Sequence, residues 1–415
     1  MAGTALIMCF AEEDEQPSAY YRIDDATMQQ HHSRIAYDPT QATAYNASQA
    51  VRDALLLYDA EGSAELPSTV RRVSAELGRS LACEIDRILR LKLYQGVITG
   101  ITIVPCGHLT ATIPIGIAQW KYGLGDRCLL DLCPIRYAPS GFIAGHCARV
   151  AADIDRQIAQ GARPLRLLTM SDPEGWYDDR RETGPRGLST AKYELDTIEK
   201  LFPSDSTEYH SGSRATLKAL KAGLQNAKGP PTHLLISAHG EGSISTRGST
   251  GIILAKEADP EDGRNESSNE SGDVLAASQI PLAIDCDLRC VFLSACSTAA
   301  FHFPAPDEIL TVPSALIVSG AAAVVGSIWP VDDFVSSMFS TKFFEFSVRG
   351  DHNPAVALRN TQNWMRTLRK PNLSDMNPLL ATHWTTWGKK RDQSWASRYP
   401  LQDPIYWAGW ILLGA

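Results

Sequence analysis

Val291-Phe-Leu-Ser-Ala-Cys-Ser-Thr298 decides the reading of this chain. Val291, Phe292 and Leu293 form a short apolar run of the kind that makes a buried strand, and the run gives way to Ser294, Ala295, Cys296, Ser297 and Thr298. A cysteine therefore stands just past a core strand. His233-Leu-Leu-Ile-Ser-Ala-His-Gly240 has the same design, with His239 in the cysteine's place and a glycine after it. In parallel α/β sheets the carboxyl ends of strands face the ligand crevice. If the two strands are neighbours, His239 and Cys296 share one crevice although 57 positions (296 − 239) separate them. Such a pair supports nucleophilic chemistry: a base takes the thiol proton and the thiolate attacks a carbonyl.

Outward from these strands the pattern alternates. Before them, Leu165 to Thr169 reads as a strand with Asp172-Pro-Glu-Gly-Trp176 as its loop, and Thr190 to Phe202 as a helix capped at Leu188-Ser189-Thr190. Ser206 to His210 reads as a strand and Ala215 to Gln225 as a helix. Beyond the cysteine come a connector at Phe301-His-Phe-Pro-Ala-Pro306, a helix over Ile309 to Ser319, a strand over Ala322 to Trp329, and helices over Asp333 to Val348 and Asn353 to Leu368. Met376 to Tyr399, with Trp384, Trp387 and Trp395 among charges, reads as a loop, and Ile405 to Leu413 as the strand that closes the sheet. Strands alternating with helices imply a parallel sheet covered on both faces.

The start of the chain is also α/β. Thr4 to Ala11, Ser18 to Ile23 and Gln29 to Ala36 read as strands, Asn46 to Tyr58 and Thr69 to Tyr94 carry helical spacing, and Gly100 to Pro105, His108 to Ile117 and Leu129 to Tyr137 read as strands. The fold class expected is thus α/β, a doubly wound sheet in two halves: residues 1–150, without a nucleophile pair of their own, packed on residues 151–415. Residues 256–273, rich in Asp, Glu, Ser and Asn, read as a solvated, mobile loop. A regulatory reading makes it a self-cleavage loop with Lys256 and Arg264 as cut sites.

Composition excludes several classes. A chain of 415 residues with 44% hydrophobic content buries a large core. A net charge of −8, with Lys and Arg dispersed, argues against direct nucleic-acid binding. Nine cysteines without a Cys-x-x-Cys offer no metal knuckle, so no metal or other cofactor is expected. Gly240-Glu-Gly242 lacks the third glycine of a dinucleotide loop. Met1 to Phe10 is apolar but lacks a basic lead and runs into Glu12, Glu13, Asp14 and Glu15, which makes a poor signal peptide. No run of 18 apolar residues occurs, so no membrane partner is expected and the setting reads as reducing and cytoplasmic.

Six blocks in order carry a family resemblance. Ile101-Thr-Ile-Val-Pro-Cys-Gly-His-Leu109, Ile135-Arg-Tyr-Ala-Pro-Ser140, the His239 and Cys296 blocks, Gly320 to Asp333 and Pro404 to Gly414 resemble successive blocks of CHAT domains, caspase-like cysteine peptidases related to separase in clan CD. The resemblance implies a caspase-like sheet whose second half is the peptidase unit and whose first half is non-catalytic. It implies a Cys296/His239 dyad with no third carboxylate, hydrolysing peptide bonds in a protein substrate, and an activating partner or sensor protein in a defence or programmed-death setting. The backbone N–H groups of Gly240 and Cys296 would form the oxyanion hole. Ser297-Thr298-Ala299 departs from the commoner Glu-Thr-Gly after the cysteine. That departure supports the rival reading, a non-catalytic CHAT-like module that binds a peptide in the same crevice.

Substrate contacts follow from the same resemblance. Asp332 and Asp333 lie in the tryptophan-containing block where separase-like peptidases place an acidic residue for a basic P1 side chain; both also suit a helix start. Ser294 stands where some caspase relatives carry an acidic pocket residue, and it brings no charge. A basic and a neutral P1 are therefore both open. Ser327-Ile328-Trp329 would be a strand edge for pairing an extended peptide. His233 is expected at the opposite strand end from His239, and His302 is a weaker rival base.

Overall fold

The computed structural model describes residues 3–10, 18–24, 30–36, 65–77, 98–105, 116, 119–122, 125–173, 188, 190–226, 229–241, 251–257, 273–294, 311–350, 353–369, 378–389 and 398–415. Its strands are β1 (Gly3–Phe10), β2 (Ser18–Asp24), β3 (Gln30–Ala36), β4 (Ile98–Pro105), β5 (Gln119–Tyr122), β6 (Gly125–Cys128), β7 (Ile135–Tyr137) and β8 (Leu167–Pro173). They continue with β9 (Thr207–Gly212), β10 (His233–Ser237), β11 (Gly240–Glu241), β12 (Gly251–Leu254), β13 (Asp273–Ala276), β14 (Cys290–Ser294), β15 (Ala323–Ser327) and β16 (Trp410–Gly414). The helices are α1 (Glu65–Leu77), α2 (Gly141–Ala159), α3 (Ala191–Ile198), α4 (Leu217–Leu224), α5 (Ile280–Ala283), α6 (Val312–Val318), α7 (Asp333–Arg349), α8 (Pro354–Thr367), α9 (Pro378–Lys389) and α10 (Pro404–Trp407).

Eleven strands form one sheet in the order β3-β2-β1-β4-β7-β16-β15-β14-β10-β8-β9. From β15 to β9 every neighbouring pair is parallel. Numbered along the chain, that block reads 2-1-3-4-5, a doubly wound order whose switch point lies between β8 and β10. β1, β4, β7 and β16 form a second parallel block, and the two blocks meet at the antiparallel pair β15/β16, from Ala323↔Gly414 to Ser327↔Trp410. Within the first block β10, β14 and β15 are buried along their whole length, as helices cover both faces, while the edge strand β9 is polar and only partly buried.

Phe292 centres one face. Its ring lies 5.2 Å from Trp410 on β16, and 5.1 and 5.9 Å from Phe343 and Phe344 on α7, while Phe339 stacks on Trp410 at 5.0 Å. Leu235 pairs with Phe292 and shares that face, which α3 and α7 cover. α4 packs on the other face, where a Cβ at Gly223 would meet the Leu168 side chain at 2.6 Å.

Several expectations shift. Leu129 to Tyr137 is not one strand: Leu129–Asp131 turns as a 3₁₀ segment, with the Asp131 carboxylate accepting from the Cys128 N–H at 3.0 Å, and only Ile135–Tyr137 pairs. Of the Met376 to Tyr399 loop, Pro378–Lys389 is a helix that starts on a proline and buries Trp384 against Phe334, ring centroids 5.9 Å apart. Ile405 to Leu413 splits at Gly409 into α10, capped by Asp403, and β16. β16 does not close the sheet; it lies inside it, between β7 and β15. Residue 150 lies within α2, and strands from both sides of it belong to one hydrogen-bonded sheet. The helix expected over Thr69 to Tyr94 is described only as α1, and Asn46 to Tyr58 lies outside the described residues.

Phe292→Ala should lower stability by about 3–5 kcal/mol, the usual cost of emptying a buried phenylalanine site. The midpoint of denaturant unfolding, compared with the parent at equal slope, checks it.

Candidate active site

β10 and β14 are neighbours, parallel and in register from His233↔Cys290 to Ser237↔Ser294. His239 follows two residues after Ser237, and Cys296 stands two residues after Ser294 in the sequence, so the last paired rung of the two adjacent strands precedes each by the same distance along the chain. Cys296 itself, with Ser297 to Ala299 and His302, lies outside the described residues.

His239 is half-buried, and its carbonyl accepts from the Ile253 N–H at 3.0 Å. Gly240 pairs with Ile252 in a small antiparallel sheet, β11-β12-β13. The bond from Ile253 to His239 flanks that pair, so Gly240 occupies a non-hydrogen-bonded position and its N–H is directed away from β12. His233 does lie at the far end of β10, buried, with Nδ1 2.9 Å from Thr232 Oγ1 and its ring edge-on to Phe202.

The strand ends form a polar row. Ser171, Ser237 and Ser294 are in register across β8, β10 and β14, and Ser327, two residues past Val325 in the β14/β15 ladder, ends β15 at the same level. All are buried. Ser294 is turned toward α7, with Oγ 2.9 Å from Ser336 Oγ. Asp172, one residue past Ser171, has a φ of 47° and accepts the Leu188 N–H at 2.7 Å, which ties the end of β8 to the approach to α3.

The tryptophan block is built differently from the expectation. β15 is an interior strand: Ser327 pairs with Trp410, and the Ile328 N–H donates to the Gly409 carbonyl at 2.9 Å, so the side facing β16 is occupied. A peptide pairing there would need the side facing β14, whose ladder with β15 covers Val291↔Val324 and Phe292↔Val325. Trp329 is a core residue at 1% exposure, its indole N–H donating to the Ile405 carbonyl at 3.0 Å. Ser327 Oγ donates to the Trp329 carbonyl at 2.5 Å. Asp332 is the N-cap of α7 and accepts the Phe334 N–H at 3.1 Å. The Asp333 carboxylate accepts the Thr190 N–H at 3.3 Å, while Thr190 Oγ1 donates to the Asp333 carbonyl at 3.2 Å. Thr190 therefore does not cap α3 with its own side chain; it ties α3 to α7.

Sequence reasoning missed Glu194. It sits on α3 at 1% exposure; its carboxyl accepts from Ser340 Oγ on α7, and Ser237 and Ser294 at the two strand ends lie near it. Burial raises its pKa above the ordinary glutamate range; the three serines partly offset this, and Asp333 adds to it. A signal was present: Ala191, Glu194, Leu195 and Ile198 form the buried i, i+3, i+4, i+7 stripe of α3, with an acid in a core position.

The described cysteines are inert by contrast. Cys128, Cys133, Cys147, Cys286 and Cys290 are buried free thiols, pushed up by burial to about 11, 12, 11, 12 and 12. Among the described residues no three His, Cys, Asp or Glu side chains converge on a metal site, and no helix is long and apolar enough to cross a membrane.

Comparison with known proteins matches the CHAT domain profile to residues 73–415. Among solved structures the chain is similar to the Arg-specific cysteine proteinase gingipain R, at 12% identity and a TM-score of 0.35 over 77% of this chain and 63% of that one. It is also similar to the separase of the Saccharomyces cerevisiae separase–securin complex (15%, 0.38, 77% and 16%) and to the complex of Porphyromonas gingivalis RgpB pro- and mature domains (10%, 0.32, 76% and 64%). The chain spans less than two thirds of the length of each. No curated protein matches it in sequence.

Two outcomes follow for stability. Asp332→Ala should lower the melting temperature by the equivalent of about 0.5–2 kcal/mol, the worth of an N-cap, whereas Asp332→Asn should keep most of it. Glu194 has its folded pKa raised, so its contribution is fully present below the ordinary carboxylate range and is lost as pH rises through the raised value. The melting temperature of Glu194→Gln should therefore gain on the parent as pH increases, a trend read from thermal scans across pH 4 to 9, roughly the span between the carboxylate and cysteine reference values.

Proposed function

The chain belongs to the CHAT family, and from that premise we propose that it is a cysteine endopeptidase working through Cys296 and His239. The observation that supports the reading is the in-register pairing of β10 with β14 up to Ser237↔Ser294, each serine standing two residues before His239 or Cys296 in the sequence. That rung adjoins the switch point of a doubly wound sheet, the usual place for a ligand crevice.

In this reading His239 takes the Cys296 proton, and the thiolate attacks the scissile carbonyl carbon, whose π electrons move to oxygen. The oxyanion is held by the N–H groups of Gly240 and Cys296. Collapse of the tetrahedral adduct breaks the C–N bond, and the imidazolium returns its proton to the leaving amine. Water, deprotonated by His239, then cleaves the thioester and regenerates the thiol. The direction of the Gly240 N–H away from β12 supports its part. Residues 1–150 take no chemical part, and an activating protein partner switches the enzyme. Ser294, Ser327, Trp329, Asp332 and Asp333 surround the substrate crevice. Because Ser327 and Trp329 are buried, their share is to hold the backbone next to the crevice, and the two acids are the groups able to read charge at P1.

Labelling by a peptidyl acyloxymethyl ketone with Arg or Leu at P1, alone and in lysate, tests this. Mass spectrometry should find Cys296 modified, and His239→Ala should slow modification by about 100-fold or more, the scale of general-base catalysis. Cys296 unmodified under all conditions, while other cysteines react, would leave the peptide-binding module as the better reading. Asp332→Asn separates capping from recognition: if the acid reads P1, the variant stays folded and loses its preference for the Arg probe over the Leu probe.

A further inference from the structure

Glu194 is the buried ionisable group that the chemistry above does not use. A carboxyl at 1% exposure is costly unless its oxygens are matched by hydrogen-bond partners. Here Ser340 of α7 donates to the carboxyl, and Ser237 at the end of β10 and Ser294 at the end of β14 lie near enough to it to pull its pKa back down. Ser294 is held a second time, by Ser336 of α7. The two serines that reach Glu194 from the sheet are partners in the β10/β14 register, and each stands two residues before a member of the dyad. The ends of the parent helices are joined as well, through Thr190 and Asp333.

We infer that Glu194 is a positioning residue whose carboxyl ties the ends of β10 and β14 together and so sets the spacing of the segments that carry His239 and Cys296. The described backbone ladder fixes the register of the two strands as far as Ser237 and Ser294. Glu194 acts at that last rung. A single side chain bridging both strands to α7 holds their exits at a constant separation, which is what a nucleophile and its base require, since a misplacement of about 1 Å can cost about 100-fold in rate. The catalytic part of this inference rests on the peptidase reading; the tie between the strand ends does not.

The test compares the parent with Glu194→Gln, Glu194→Ala and Glu194→Asp, the last keeping the carboxyl but one methylene short. Two quantities are read: the second-order rate of Cys296 labelling by the acyloxymethyl ketone, and hydrogen exchange of the peptides spanning 233–241 and 288–296. The expected result is labelling slowed about 10- to 100-fold in Glu194→Ala and Glu194→Asp, faster exchange at both strand ends, and recovery to within about threefold in Glu194→Gln, which keeps length and hydrogen-bonding capacity. Should Glu194→Ala not fold, Glu194→Asp carries the comparison. Folded Ala or Asp variants with parental labelling and exchange would overturn the inference while leaving the peptidase intact. If the parent's Cys296 is never labelled, the peptidase reading fails instead, and exchange alone decides: faster exchange at both strand ends upholds the tie, and unchanged exchange overturns it.

Discussion

The aromatic contact of Phe292 with Trp410, Phe343 and Phe344 is what the rest of the molecule depends on. β14 belongs to one parallel block and β16 to the other, and α7 lies across both. The blocks meet at the antiparallel pair β15/β16, whose strands are separated in sequence by α7, α8, α9 and α10, and aromatic side chains pack over the junction. Phe292 fills it, with Phe339 stacked on Trp410 from above. Because β15 pairs with β16 antiparallel over five rungs, the last strand of the chain is wedged into the middle of the sheet, and residues more than a hundred positions apart share one core.

One rung further along β14 the apolar seam ends. Side chains on a strand alternate in direction, so Ser294 points to the same face as Phe292 and meets α7 where the aromatic cluster stops. Ser237 does the same on β10, and Glu194 closes the layer. The site therefore stands on two floors, an aromatic one that supplies rigidity and a polar one whose hydrogen bonds have direction. Hydrogen bonds specify geometry in a way that apolar burial does not. A crevice in which two side chains must meet within a fraction of an ångström benefits from the second kind.

Much of this was legible along the chain. The apolar runs at Val291 and His233 mark buried strands because nothing else accommodates such runs between turns. The strand–helix alternation prescribes a parallel sheet covered by helices, although not the order of its strands. Asp332 as a helix cap was legible too, since an acid before Phe334 has a local duty whatever else it does. The helix over Pro378 to Lys389 is hard to read because its proline start, three threonines and Gly388 hide an i, i+4 pair, Leu380 and Trp384, that packs inward.

What the sequence by itself determined was local: which stretches are strands and helices, which two strands end in a histidine and a cysteine, and which family blocks follow one another. Only the tertiary structure decided that those strands are adjacent and in register, that β16 lies within the sheet, and that Trp329 is buried with its indole N–H on the Ile405 carbonyl. It alone gave Glu194 its meaning. An acid on a helix is ordinarily a solvated group, and its burial is tolerated here because Ser340, 146 positions away, donates to it and Ser237 and Ser294 lie near it. Propensity and pattern act over a few residues, whereas desolvation and its compensation depend on every group that folding brings within reach.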